Sequence, residues 1–293
     1  MLQVRAKILY NKKIKGNYFH LLLRAPKIAK ESIPGKFLNV KVSDTCEPLL
    51  RRPLSIHMAK GANVGLLYEV VGQATQILSR RKPGEHLDVI GPLGNGFNYP
   101  LSLPVRQAGA IPALPAGRRY PLPVLVAGGM GVAPLIFLAE KLMERTPNTE
   151  HRTPLVLIGA KTKNQILCTN EFQDLGCDVK IATDDGSRGF KGKVTELLDK
   201  ILTSGFRLQA SGKNIRAAYN VQRAALIYAC GPRSMLKEIS RISKKYNIPA
   251  QVSLEEHMAC GIGACLGCVV NTKEGFKRVC KEGPVFNADE IIW

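Results

Sequence analysis

Over the first hundred residues apolar side chains recur at every second position in short runs, broken by lysine, asparagine, glycine and proline. Residues 4–10, 18–23, 37–42, 66–71 and 87–90 read as strands on this period. Strands this short and this closely spaced predict a small antiparallel barrel over residues 1–101. Turns at Pro83-Gly84-Glu85 and at residues 91–97 would close it, the second being dense enough in glycine to pass close to a ligand. From residue 122 the period changes. Apolar runs at 124–127, 155–160, 179–183 and 225–229 read as buried strands, and residues 135–143, 194–202 and 235–246 have helical spacing. Strand and helix in alternation predict a doubly wound parallel sheet over 122–250, with ligands beyond the carboxyl ends of the strands, where Gly128, Asp184 and Cys230 fall. The Pro/Ala-rich stretch 102–121 reads as a linker and 204–224 as a basic insertion. The expected fold is multi-domain, β followed by α/β, with a small module at 251–293.

Composition narrows the class. A chain of 293 residues with 45% hydrophobic and 22% charged content has room for two ordinary domains and an appendage. No apolar run of membrane-spanning length occurs, and residues 1–7 lack the apolar centre of a signal peptide. The expectation is a cytoplasmic protein with no membrane partner. The net charge of +19 raises nucleic acid as a partner. Residues 102–121 and 204–224 supply three and four basic residues without a single acid, however, and neither interleaves them with stacking aromatics. No nucleic-acid partner is expected; an acidic partner surface, or a general basic bias of the source's proteins, accounts for the charge more simply.

Cysteine use is more specific. Cys260, Cys265 and Cys268 are spaced C-x4-C-x2-C, and Cys280 follows after eleven intervening residues. Such short spacers force several sulfurs toward one point. Gly261, Gly263 and Gly267 would give the loop its left-handed turns. The spacing is that of plant-type [2Fe–2S] proteins, with a shorter final gap that implies a compact cluster module. Structural zinc also takes four cysteines, although usually as paired C-x2-C knuckles, and disulfides suit a secreted chain better than this one. His257, just ahead of the loop, is the one imidazole that could replace a thiolate, but four cysteines already complete a ligand set. Cys46, Cys168, Cys177 and Cys230 are scattered and read as buried thiols.

Arg52-Pro53-Leu54-Ser55 and, some twenty residues on, Gly72-Gln73-Ala74-Thr75 lie within the barrel region. Gly128-Gly129-Met130-Gly131-Val132-Ala133-Pro134 joins a strand to a helix, where unpaired N–H groups can face a phosphate. With Cys230-Gly231-Pro232, these stretches resemble the ferredoxin–NADP reductase superfamily. The resemblance implies FAD held by Arg52, Pro53, Leu54 and Ser55, by Leu67, Tyr68 and Glu69, and by Gly72, Ala74 and Thr75. Arg52 would fork onto the pyrophosphate, and Leu54 would stand where many relatives stack an aromatic on the flavin. It implies NAD held by Gly128, Gly129, Gly131, Asp184, Asp185, Cys230, Gly231 and Pro232, with Ser55 and Cys230 around the hydride-transfer centre. Acids at 184 and 185 suit ribose hydroxyls and repel a 2′-phosphate, which favours NAD over NADP; capping the turn before Gly186-Ser187 is the equal alternative.

The order of barrel, nicotinamide domain and cluster module, with residues 253–268 and 280–286, is similar to the electron-transfer subunits of bacterial class 1B dihydroorotate dehydrogenases. That family implies a separate catalytic subunit with FMN, which oxidises dihydroorotate to orotate in pyrimidine biosynthesis. Its electrons pass through [2Fe–2S] and FAD to NAD+, in a heterotetramer of two catalytic and two electron-transfer subunits. No residue for dihydroorotate chemistry is then needed on this chain. The alternatives are the FAD/[2Fe–2S] subunit of an NAD(P)H:ferredoxin oxidoreductase, a sulfide dehydrogenase or a hydrogenase, and, in another class, a zinc-stabilised basic nucleic-acid-binding module.

Overall fold

The computed structural model describes residues 1–45, 47–99, 121–144, 153–204 and 225–293; all but the last residue of the expected linker, most of the basic insertion and Cys46 lie outside them. The described residues form two compact units.

The first unit is built on a closed six-stranded antiparallel barrel. In chain order its elements are β1 (Leu2–Lys15), β2 (Tyr18–Arg24), α1 (Pro26–Glu31), β3 (Phe37–Lys41), β4 (Arg52–Lys60), β5 (Asn63–Glu69), α2 (Gln73–Ser79) and β6 (His86–Leu93). Closure depends on the length of β1. Its first half pairs with β6, from Leu2 opposite Gly91 to Lys7 opposite His86, and its second half pairs with β2. The periodic signal stops at Tyr10, but pairing with β2 carries the strand through the mostly polar residues 11–15; ladder hydrogen bonds override side-chain pattern here. Alternation is clear where one face meets the core: Ala6 and Ile8 are buried while Arg5 and Lys7 point outward.

Two expectations shift. Gly91, Pro92 and Leu93 are the last residues of β6 and not a turn, since Leu2 and Phe37 pair with Gly91 and Leu93. The turn that follows takes Gly94 at φ +74°, and the Asn95 amide Nδ2 donates to the Glu282 carbonyl at 2.9 Å. Residues 73–75 are the first turn of α2, with Gly72 as its N-cap.

The second unit carries β7 (Leu122–Gly128), a single 3-10 turn at Gly129–Gly131, α3 (Val132–Glu144), β8 (Leu155–Ala160), α4 (Thr169–Asp174), β9 (Asp178–Thr183), β10 (Phe190–Lys191), α5 (Val194–Ser204), β11 (Ala225–Cys230), α6 (Arg233–Tyr246) and β12 (Ala250–Ser253). The chain then forms the hairpin β13 (Val269–Thr272) and β14 (Gly275–Arg278) in the first unit, and ends near β15 (Val285–Asn287). The sheet order is β10-β9-β8-β7-β11-β12-β15, with β10 through β11 parallel. Residues 124–127 of β7 and all of β11 are fully apolar and buried, as strands covered on both faces must be. Helix α6 shows the opposite pattern: Leu236, Ile239 and Ile242 face inward, Lys237, Lys244 and Lys245 do not, and Asn247 ends it at φ +52°. From β7 the chain winds outward through β8, β9 and β10, then returns to β11 on the other side of β7. That reversal is the switch point of the sheet. Among the described residues no helix is long and apolar enough to cross a membrane.

Candidate functional site

The cysteine loop follows from its backbone. Gly261 and Gly263 take φ of +69° and +84°. Gly267 does not; the third left-handed residue is Leu266 at φ +59°, a conformation that costs a leucine about 1 kcal/mol. A Cβ on Gly261 would run into the Asn39 amide, so glycine lets the loop lie against β3. Asn39, buried in that strand, donates from Nδ2 to the Cys260 carbonyl at 3.0 Å. Cys268 immediately precedes β13 and Cys280 follows β14, and the Val279 amide donates to the Cys268 carbonyl at 2.9 Å. The eleven-residue spacer is therefore a hairpin that brings Cys280 back beside Cys268.

The sulfurs sit among N–H donors. Cys260 Sγ accepts from the amides of Ile262, Ala264 and Cys265 at 3.4, 3.3 and 3.4 Å. Cys265 Sγ accepts from Gly267 at 3.5 Å and Cys268 Sγ from Cys280 at 3.4 Å. Partial burial pushes the Cys260 thiol up, but those amides and Cys265 outweigh it and bring the group down to about 6, which favours the thiolate a metal needs. Burial pushes Cys280 up to about 12, helped by its hydrogen bond with Cys268. Two adjacent thiols in that setting need a cation before both lose their protons.

Cys260 is within hydrogen-bond reach of Cys265 and Cys280 of Cys268, and Cys260 and Cys280 also interact electrostatically, so the sulfurs form one group. Among the described residues no three His, Cys, Asp or Glu side chains converge on a single point. One tetrahedral zinc would draw all four sulfurs within about 2.3 Å of itself. Four cysteines brought together by one loop and one hairpin, with amide donors on three of the sulfurs, suit a cluster with two irons. Cys168, Cys177 and Cys230 are buried and stand in no disulfide among the described residues.

In the same unit, residues 50–53, 71–75 and 256–259 with Gly267 line a cleft of about 640 Å³. It joins both flavin-type motifs to the segment leading into the cysteine loop. Two adjacent arginines divide the work. Arg51 is committed to Asp88, with Nη2 at 2.8 Å from Oδ2 and Nη1 on the Asp88 carbonyl. Arg52 donates only to the Leu50 and Arg51 carbonyls and forms no ion pair among the described residues. Its fork is thus available to an anion in the cleft. The first-turn amides of α2, at Gln73 and Ala74, have no helical acceptor and lie on the same wall. Thr75 also lines the cleft, and its hydroxyl accepts from the Val71 and Gly72 amides at 3.0 and 3.3 Å, holding the helix start in shape.

Leu54, Ser55, Leu67, Tyr68 and Glu69 fall outside the cleft lining. Leu67 and Tyr68 are core residues of β5; the Tyr68 ring stacks on Phe19 at 5.5 Å and its hydroxyl donates to Asn11 Oδ1. Pro53 is the last lining residue of β4, with Leu54 and Ser55 paired to Leu38 and Phe37 of β3. His257 lies on the cleft wall. A cleft-lining role for residues 256–259, the Asn39 contact and the Arg278–Glu282 pair described below had no part in the sequence expectation. Asn39 left one trace, as the single polar residue among Phe37, Leu38 and Val40, all buried.

At the switch point of the second unit two glycine turns meet back to back. A Cβ on Gly131 would overlap the Cys230 carbonyl, and one on Gly128 would sit 2.8 Å from Pro232 and 2.7 Å from Met235 Sδ. Gly129 is at φ +55° and Gly231 at φ +156°. The loops 128–131 and 230–232 thus form one surface at the strand ends. Cys230 is 1% exposed, so its carbonyl and backbone shape that surface while its thiol stays inside. Asp184 and Asp185 follow β9, and the structure divides their roles. Asp185 Oδ1 accepts from the Ser187 amide and hydroxyl at 2.9 and 2.6 Å, which caps the turn and holds its carboxyl below the usual range. Asp184 is exposed.

Comparison with known proteins supports this layout. Residues 255–292 match the family model described as the iron–sulfur cluster binding domain of dihydroorotate dehydrogenase B, and residues 125–241 match the oxidoreductase NAD-binding domain. The chain is 39% identical to the dihydroorotate dehydrogenase B (NAD(+)) electron transfer subunit of Desulforamulus reducens, over 98% of this chain and 97% of that one. It is 34% identical to the subunit of the same name from Geobacillus thermodenitrificans, over 98% of each. Among solved structures, the NADH-dependent reduced ferredoxin-NADP oxidoreductase superposes with a TM-score of 0.73 at 26% identity, covering 99% of this chain and 90% of that one. A ferredoxin NADP+ reductase from Neisseria gonorrhoeae, at 13% identity and a TM-score of 0.62, covers 83% of this chain and 91% of its own and shares the fold.

Proposed function

This chain belongs to the family of dihydroorotate dehydrogenase B electron transfer subunits, and from that premise we propose a relay whose parts are assigned to particular residues. It is an NAD-dependent flavin and iron–sulfur oxidoreductase subunit. Cys260, Cys265, Cys268 and Cys280 hold the [2Fe–2S] cluster, and the cleft walled by Arg52, Gly72, Gln73 and Ala74 takes FAD. NAD+ lies on the paired glycine turns at 128–131 and 230–232, with Asp184 toward its adenosine ribose. Bound FAD supplies the conversion between single electrons and a hydride, which neither an iron–sulfur cluster nor a nicotinamide performs alone.

A catalytic partner subunit completes the enzyme. We assign it the FMN, the oxidation of dihydroorotate, and a place in a cytoplasmic assembly of two catalytic and two electron-transfer chains. What supports a docked partner is the surface near the cysteines: Leu266 and Ile262 are apolar side chains left 62% and 41% exposed on the cluster loop itself. The reading rests above all on the grouped cysteines under their amide donors. The relative with ferredoxin and NADP in its name is less similar, at 26% identity against 39%. The experiment is anaerobic: NADH should bleach the flavin of the isolated chain, and dihydroorotate should reduce NAD+ only when the FMN partner is added. Turnover of dihydroorotate by this chain alone would refute the division of labour.

Two substitutions probe the assignments. Arg52→Ala removes a charge-assisted fork on the FAD pyrophosphate and should cost about 2 kcal/mol, roughly thirtyfold in FAD Kd. Equilibrium dialysis with unchanged flavin affinity would take Arg52 out of the site. Asp184→Ser removes an exposed carboxylate that repels a 2′-phosphate, and should narrow the preference for NADH over NADPH by about fivefold. An unaltered ratio in dye-reduction kinetics counts against the ribose role.

A further inference from the structure

Arg278 ends β14, two residues before Cys280, and Glu282 stands two residues after it. The guanidinium and backbone of Arg278 are both fixed on Glu282. Its Nε donates to Oε2 at 3.0 Å, its backbone N–H to the same oxygen at 2.7 Å, and its Nη2 to Oε1. Three donors from one residue on one carboxylate fix the guanidinium in a single orientation. With that side of the fork anchored, Nη1 reaches across to the cluster loop and donates to the Gly263 carbonyl at 2.8 Å.

The acceptor is what gives this contact its consequence. The peptide between Gly263 and Ala264 is trans, so its C=O and N–H point in opposite directions. Its carbonyl end receives the guanidinium, and its amide end, Ala264 N–H, donates to Cys260 Sγ at 3.3 Å. A cation on a carbonyl polarises the whole peptide unit and strengthens the bond donated from its other end. Gly263 is at φ +84°, and a Cβ there would meet the Lys281 side chain at 2.8 Å, so the loop is glycine where the hairpin crosses it. Hydrogen bonds to ligand sulfurs and nearby charge are among the terms that set the potential of an iron–sulfur centre, because both favour the more negative, reduced state.

We propose that Arg278 is a positioning residue that raises the reduction potential of the cluster through the Gly263–Ala264 peptide and its bond to Cys260. The proposal rests on the [2Fe–2S] reading above. Glu282 keeps the guanidinium in place, and Asn39 holds the neighbouring Cys260 carbonyl from the barrel side.

The test is an EPR-monitored redox titration of the full chain, with iron and acid-labile sulfide measured on each preparation. Arg278→Gln, with cluster retained, should lower the reduced-to-oxidised ratio at a fixed ambient potential by about tenfold, which for one electron is about 59 mV. Arg278→Lys keeps the charge but cannot grip Glu282 and Gly263 together, and should fall part of the way. Both variants titrating with the wild type would overturn the proposal. So would lysine restoring the full wild-type potential, since charge alone would then suffice. If the glutamine variant fails to assemble, the lysine variant decides: a lowered potential supports the proposal, while loss of the cluster there too makes Arg278 merely structural and overturns it. Absence of iron and sulfide from the wild type is a separate result, and it strikes the cluster assignment instead.

Discussion

Cys265→Ser is expected to abolish acid-labile sulfide and the EPR signal of the reduced protein, and to bring dihydroorotate-dependent NAD+ reduction by the assembled enzyme to background. NADH-to-dye activity through the flavin should persist near the wild-type level. The separation follows from where the cysteine sits. Cys265 is exposed, is within hydrogen-bond reach of Cys260, and lies on a loop whose other supports are independent of it: Asn39 on the Cys260 carbonyl, Arg278 on the Gly263 carbonyl, and the hairpin under Cys268 and Cys280. The barrel has its own closed hydrogen-bond network and core. A serine removes one soft ligand from a set of four without opening a cavity. If flavin and dye activity vanish with the sulfide, the module is a structural prop of the barrel and not a separable carrier.

Gly131→Ala should have the largest effect on the second unit. Its Cβ would overlap the backbone carbonyl and carbon of Cys230 and lie 2.8 Å from the Gly231 nitrogen. Backbone cannot rotate away as a flexible side chain can. The 3-10 turn or the end of β11 must therefore shift in a core where Val126, Ala127 and Ala229 are fully buried. Overpacking of this kind costs about 3 kcal/mol, roughly 8 °C in the melting of that unit. The same shift separates the two turns proposed to carry NAD, so NADH should bleach the flavin far more slowly. Calorimetry showing an unmoved transition, with normal NADH affinity, would mean that the close approach of the two turns is not required.

What could be read in advance was local. The C-x4-C-x2-C spacing, the apolar run into Gly128-Gly129-Met130-Gly131 and the alternation at the start of β1 are set within a few residues of each other, and the structure follows them. Contacts over long separations left weak traces. Nothing around residue 39 announces that its amide will hold a carbonyl at residue 260. The hairpin that explains the Cys268-to-Cys280 spacing, and the membership of β12 and β15 in the second sheet, depend on pairing partners far along the chain. Leu67 and Tyr68 carry the β pattern of a ligand-facing strand equally well whether they meet a flavin or the core, and β5 is buried along nearly its whole length. Thr75 shows the same ambiguity on a smaller scale, a hydroxyl suited to a phosphate that also braces its own helix. Gly267 and Leu266 show it in the backbone, where the left-handed turn falls one residue before the glycine.

The most direct measurement is metal and sulfide analysis of the anaerobically purified chain, read together with the EPR spectrum after reduction. Two irons and two acid-labile sulfides per chain, with the signal of a reduced [2Fe–2S] centre, are the predicted result. One zinc per chain, no sulfide and a silent spectrum would contradict it.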